Sequence, residues 1–357
     1  MRPGLPQPLL FAAGLALALA ARAAAIDVPC LPPEPHDLRP GPGVTRVTQL
    51  SEWLPILQGT PGDTPVFVLE GREPGGTLVV ASGTHENELA GVFAATLLVE
   101  HARVAEGRLV VVPRANNSAV TWRDPERPAP DEVVLASPSG PRRFRFGART
   151  TNPAHQGAPD PPVFRHAGGG KELPGVEARN LDRAYPGAPA GTLTERVAFA
   201  IVELLRREKA DLAFDLHEAG PASRLAWMVV AHPRGVELAA SAVLDLDAEG
   251  LPMKLETSDD AFRGLSHREW GDATGALAFL VETPNPAQEK GAASKGPIEQ
   301  LDHPGLPLAD RAAAHLRTLL AIVGAHAAQA PPGERVRLED VPDARALLER
   351  GLGAFLR

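Results

Sequence analysis

Gly83-Thr84-His85-Glu86-Asn87-Glu88 stands where the character of the chain changes, between the uncharged run Thr77–Ser82 and a helical pattern, Glu88–Ala105. A short apolar run bounded by glycine reads as a buried strand, and the longer pattern after it reads as a helix. His85 and Glu88 are three residues apart, so at a helix entry their imidazole and carboxylate point the same way. Such a pair is two of the three protein ligands of a catalytic zinc, whose fourth position is kept for water. The third ligand is expected from a distant strand end, as another histidine or a carboxylate. Asp215-Leu216-His217 has that form. The stretch thus predicts a strand-to-helix crossover of an α/β protein and, at the crossover, a zinc-dependent hydrolytic site.

Outward from this point the same rhythm continues. Strands are expected at Val66–Leu69, Leu78–Ser82, Leu109–Pro113, Leu212–Leu216, Trp227–Ala231 and Leu277–Val281. Most are short, apolar and bounded by Gly, Pro or charge, as strands buried on both faces are. Helices are expected at Glu88–Ala105, Leu193–Lys209, Val236–Ala248 and Leu308–Ala328, the second of them opening with Thr192 or Thr194 and carrying Glu195 in its first turn. The alternation predicts one α/β domain with a mostly parallel or mixed central sheet and helices on both faces. Residues 122–175 form a long aperiodic insertion rich in Pro, Gly, Arg and Asp, of the kind that tends to be functional. The tail, residues 330–357, reads as a strand fragment and a short amphipathic helix with Ala344, Leu347, Leu348 and Leu352 on one side.

The chain of 357 residues carries a net charge of −8, and its arginines form no basic stripe, which argues against nucleic acid as a partner. Residues 1–25 have the form of a cleavable export signal. Arg2 supplies the positive charge, Leu9–Ala21 the apolar run, and Ala21-Arg22-Ala23 or Ala23-Ala24-Ala25 the small-x-small cleavage pattern. That run is too short to span a bilayer, so no membrane association is expected after cleavage. Cys30 is the sole cysteine and lacks the small residues that precede a lipoprotein cysteine. An exported protein without disulfides is expected in a bacterial periplasm or outside the cell. Residues 26–65 are a Pro-rich lead-in, its first part, Ile26–Val44, expected to run over the surface.

Open α/β sheets place their sites at the carboxyl ends of strands. His85, His217 and Glu282 follow three of the expected strands, and all three fall on that edge. A carboxylate at the mouth of a buried strand is costly unless paired or used, which singles out Glu282. Glu86 and Glu218 also neighbour the expected ligands, but adjacent residues face away from the metal. His101, His232, His267, His315 and His326 read as ordinary packed histidines. In Arg179-Asn180-Leu181-Asp182-Arg183-Ala184-Tyr185-Pro186-Gly187, Arg183 is the candidate to grip a substrate carboxylate through paired hydrogen bonds, with a loop arginine paired to Asp182 as the plainer alternative.

These residues resemble the succinylglutamate desuccinylase/aspartoacylase family of the zinc carboxypeptidase superfamily. The resemblance rests on HxxE at His85–Glu88, the distant Asp215-Leu216-His217, a loop similar to NLNRxFPG at Asn180–Gly187, and a late strand ending in Glu282, in that order. It spans about Val66 to Gln329 and implies a carboxypeptidase-like catalytic domain over 66–329. It implies one zinc per chain held by His85, Glu88 and His217, with Glu282 as the catalytic carboxylate. It also implies a substrate subsite at Arg183, Asn180, Asp182 and Tyr185, and an upstream arginine, Arg114 or Arg123, polarising the scissile carbonyl. The implied substrate is a small N-acyl amino acid or a peptide. A carboxypeptidase acting on peptides or peptidoglycan stems, and a non-catalytic metal- or ligand-binding protein, are the alternatives. The chain departs from the family at Asp182, where asparagine is usual, and in the insertion at 122–175, and from its short tail the family's C-terminal β-domain is expected to be absent.

Overall fold

The computed structural model describes residues 1, 37–123, 132–166, 168–169, 171–289 and 298–357. The expected export signal and Cys30 lie outside the described residues, Met1 apart. Among the described residues no helix is long and apolar enough to cross a membrane.

The strands are β1 (Arg46–Gln49), β2 (Pro65–Glu70), β3 (Glu73–Ser82), β4 (Arg103–Val112), β5 (Glu132–Leu135), β6 (Arg142–Arg145), β7 (Val163–Phe164), β8 (Leu173–Pro174), β9 (Leu212–Ala219), β10 (Met228–Ala231), β11 (Lys254–Thr257), β12 (Leu277–Pro284) and β13 (Arg337–Glu339). The helices are α1 (Leu89–His101), α2 (Leu193–Arg207), α3 (Val236–Ala248), α4 (Ser266–Thr274), α5 (Glu299–Asp302), α6 (Leu308–Gln329) and α7 (Ala344–Arg350). The central mixed sheet runs β1-β2-β4-β3-β9-β12-β10-β11, with β13 beside the start of β4. Its middle strands β4, β3, β9 and β12 are mutually parallel, while β2 and β10 run against them on either side. All six strands expected from the sequence are present.

Strand alternation divides the interior into two cores. Leu212, Phe214 and Leu216 of β9, with Phe279 and Val281 of β12, pack against α1, α3 and α6. Ala213 and Ala278 face the opposite way, toward α2 and Trp270 of α4. The helix α1 is apolar on every side and nearly all of it is buried, as a helix wedged between a sheet and a second helix layer must be. Thr192 caps α2 in a reciprocal capping box with Glu195, which satisfies two otherwise orphaned amides.

Three expectations need correcting. The first helix stops at His101 rather than running to Ala105, because the chain turns straight into β4 and Val104 serves that strand. The described part of the 122–175 insertion is not structureless. β5 and β6 form a hairpin that delivers Phe144 and the adjacent Phe146 to the core beside α1, and β7 pairs with β8. The lead-in is likewise bound in where it is described: Gly41 donates to the carbonyl of Val99 (3.0 Å), and Leu50, Trp53 and Leu57 are buried under α2.

Candidate active site

The register of the sheet builds the site. His217 of β9 and Glu282 of β12 are paired residues on adjacent parallel strands, so their side chains emerge side by side on one face. Asp215 precedes His217 by two residues and shares that face. His85 arrives from the neighbouring strand, three residues beyond the end of β3. Gly83 makes that exit possible, with a positive φ of 67° and a place where a Cβ would lie 2.5 Å from Glu86 Oε1. Glu88 is the cap residue of α1, so the short connection from β3 to α1 delivers both His85 and Glu88 to the strand ends.

The two imidazoles converge on one carboxylate through the same atom. His85 Nδ1 lies 2.9 Å from Glu88 Oε1, and His217 Nδ1 lies 3.2 Å from Glu88 Oε2, with the two rings edge to face at 4.9 Å. The far nitrogen of each ring also faces an oxygen. His85 Nε2 is 2.9 Å from Asn180 Oδ1, and His217 Nε2 is 2.9 Å from Asp215 Oδ2, close but not aligned as a hydrogen bond. Asp215 is held in turn by the hydroxyl of Thr84 at 3.0 Å. Two inward Nδ1 atoms, each backed by an acceptor on the other ring nitrogen, form the arrangement that fixes tautomer and orientation in metal-ligating histidines. One ligand atom each from His85, Glu88 and His217 lie within 4.8 Å of one another, so the donor set fits a zinc ion.

The electrostatics agree with that geometry. Burial works against the Glu88 carboxylate, but His85 and His217 hold it well below the usual carboxylate range. Burial pushes Glu282 well above that range, with Glu88 and Asp182 adding to the shift and His217 and Arg149 opposing it. Among the described residues Glu282 Oε2 has no hydrogen-bond partner, although the side chain is buried. A buried carboxyl group left unpaired beside a metal-competent cluster is costly unless it is used.

His85, Glu88, Glu282, Asp182 and Arg183 line one cavity of about 390 Å³, and Arg149 joins them. Its guanidinium Nη1 sits 3.3 Å from His85 Nδ1 and 3.4 Å from Glu88 Oε1. Nothing in the sequence pattern marks Arg149, which sits in a loop without periodicity. Its place is set by the backbone pairing of Glu86 N with Ala148 O (3.0 Å) and by Gly147, where a Cβ would meet the Cβ of Glu86 at 2.3 Å.

Four of the expected site residues lie elsewhere. Arg114 is buried and turned away, paired with Glu86 and donating to the carbonyl of Arg145 at 3.1 Å. Arg123 donates to the carbonyls of Val120 and Phe146, bracing the hairpin. Neither faces the cavity, so the arginine nearest the cluster is Arg149. Asn180 is wholly buried behind His85, its amide nitrogen donating to Glu177 at 2.7 Å, which gives it a holding position rather than contact with the cavity. Tyr185 is buried edge-on against Trp270 with ring centroids 5.5 Å apart. Asp182 and Arg183 do line the cavity. Asp182 accepts from the amide of Ser266 at 2.9 Å, and Arg183 has Glu177 and Asp182 within 3.7 Å.

No protein-family model matches this chain, and no curated protein does. Solved structures do match. A succinylglutamate desuccinylase from Silicibacter sp. TM1040 is 19% identical with a TM-score of 0.45, the match covering 73% of this chain and 60% of that one. An aspartoacylase family protein from Mesorhizobium loti is 22% identical with a TM-score of 0.42, over 73% of this chain and 61% of that one. The cell shape determinant protein Csd4 from Helicobacter pylori, in its apo form, is 13% identical with a TM-score of 0.48, over 80% of this chain and 59% of that one. The chain thus spans about three fifths of the length of these structures.

Proposed function

We propose that the protein is an exported, zinc-dependent hydrolase that cleaves an amide bond in an N-acyl amino acid, with residues 66–329 as its catalytic domain. The observation that carries this reading is Glu282, a buried carboxyl group whose Oε2 has no partner among the described residues, set beside the converging Nδ1 atoms of His85 and His217 and the carboxylate of Glu88. His85, Glu88 and His217 would hold the metal, which when bound would supply the Lewis acidity that makes water a nucleophile near neutral pH. Glu282 takes the proton of the attacking water and passes it to the leaving nitrogen. Arg149 presents its guanidinium at the same mouth, placed to stabilise negative charge on the carbonyl oxygen. Asn180 and Asp215 keep the two rings turned inward. Export rests on the sequence of residues 1–25 alone.

A second reading, a carboxypeptidase acting on peptides or peptidoglycan stems, draws support from a further cavity of about 330 Å³ that shares Arg183 with the first. A longer substrate has room to continue past that residue. The test is mass-spectrometric product detection with zinc-loaded protein facing a mixed panel of N-acyl amino acids and short peptides. Cleavage that disappears on chelation and returns with zinc is expected, and the member cleaved chooses between the two readings. Cleavage indifferent to chelation would refute the metal, and no cleavage of any member would favour a non-catalytic binding protein.

A further inference from the structure

The cavity beside the candidate centre has one apolar wall. Leu280 lies two residues before Glu282 on the same face of β12, and β10 sets Met228 directly opposite Glu282. Phe262 packs on this patch, and Leu225 and Leu265 complete it from the loops. Leu225, Phe262, Leu265 and Leu280 all line the cavity. The wall adjoins Arg183 directly. Gly264, next to Leu265, accepts from the amide of Tyr185 at 3.2 Å, and a Cβ on it would meet the Arg183 carbonyl at 2.8 Å.

The charges in the same cavity are already balanced. Arg183 has two carboxylates near it, Glu177 and Asp182, each with its closest oxygen 3.7 Å from a guanidinium nitrogen. Arg149 is committed to the His85–Glu88 edge. Among the described residues no lysine lines the cavity, and Glu289 adds a further carboxylate at its border. One carboxylate of a ligand can displace the loose partners of Arg183. A second finds no further cation among the described residues, and it meets instead a wall that gains nothing by contacting a charge.

Resting on the hydrolase reading above, we infer that the substrate is an amide of an apolar amino acid of Leu or Phe size, its side chain on the Leu225–Phe262–Leu265–Leu280 wall and its one carboxylate at Arg183. Acidic amino acids, with a charge where the wall stands, are excluded. Asp182 belongs to the same design, since its carboxylate beside Arg183 leaves that guanidinium capacity for a single anion.

The experiment uses N-acetyl-L-phenylalanine, N-acetyl-L-leucine, N-acetylglycine, N-acetyl-L-aspartate and N-acetyl-L-glutamate. Turnover is measured with the zinc-loaded protein, and binding by calorimetric titration of the Glu282→Gln protein. The apolar members are expected to exceed the acidic ones by roughly 10- to 150-fold in kcat/KM, the worth of burying one such side chain. Phe262→Ala and, on the loop, Leu225→Ser should each lower the ratio of phenylalanine to glycine turnover. Preference for aspartate or glutamate in either assay would overturn the inference and leave the hydrolase standing. Tight binding of the phenylalanine compound without turnover of any member would keep the pocket's chemistry and remove the hydrolase. Failure of the apolar compounds both to bind and to turn over would overturn the inference outright.

Discussion

The strands β9 and β12 carry buried polar side chains on both of their faces, and the two sets differ in kind. On the face toward α2 and α4 stand Asp215, His217 and Glu282. On the face toward α1 and α6 stand Glu218 and Thr283. The second set is closed. Glu218 is paired with Arg311, accepts from the amide of Ala90 at 3.0 Å, and has Asn285 at 3.4 Å. Arg311 also reaches the carbonyl of Gln300, and the Thr283 hydroxyl is 3.1 Å from His315 Nε2. Burial pushes Glu218 upward, but Arg311 pulls against it. The first set has a buried acid with an oxygen left free among the described residues, and an imidazole aimed, together with that of His85, at the Glu88 carboxylate. Burial alone does not separate architecture from chemistry here, since both sets are buried. Completeness of pairing does.

The contrast can be broken at its closed face first. Arg311→Leu strands the Glu218 carboxylate and should cost about 3–5 kcal/mol in denaturant unfolding, with much of the loss recovered in the Arg311→Leu, Glu218→Gln pair. Unchanged stability with lost turnover would mean that this face is chemistry after all. On the open face, Asn180→Ala removes the acceptor behind His85. A fall in zinc affinity of roughly 10- to 100-fold is expected in a competition titration against a chelating dye. An unchanged affinity would detach Asn180 from the centre.

The smallest effect concerns pH. Burial pushes His315 from its ordinary value of 6.5 down to about 3, so it is neutral in the folded protein. Below pH 6.5 the unfolded chain binds a proton that the folded chain does not, so this contribution is complete above pH 6.5 and is lost as pH falls toward 3. The slope is about 1.4 kcal/mol per pH unit. His315→Gln should therefore make stability at pH 5, relative to pH 7.5, less acid-sensitive by about 2 kcal/mol. Parallel unfolding curves for variant and parent across that range would contradict the assignment.

Much of this was legible before the structure. The central strands are apolar runs bounded by Gly, Pro or charge, and the spacing of His85 and Glu88 survives any error in element boundaries. Glu282 stood out because four apolar residues lead into it. The helix α4 was not legible: Ser-His-Arg-Glu-Trp-Gly-Asp-Ala-Thr has weak helical propensity, and Trp270 holds it by packing into the core. The hairpin β5–β6 alternates over only four residues a strand, too short a period to see among prolines and glycines. The placement of the arginines was not legible for a different reason. Arg114 and Arg123 sit near the right strand in sequence, but long side chains choose partners in space. Glu86 takes Arg114, the carbonyls of the hairpin take Arg123, and the loop built on Gly147 brings in Arg149 instead.

The central claim is that Glu282 is the open group of an otherwise held metal cluster. It is tested most directly by Glu282→Gln, with zinc content, unfolding midpoint and turnover measured on the same preparation. The account predicts one zinc per chain and an unchanged or slightly raised midpoint, because a buried acid becomes neutral. It also predicts a loss of turnover of roughly 10²–10⁴-fold. Full turnover with zinc retained would contradict it.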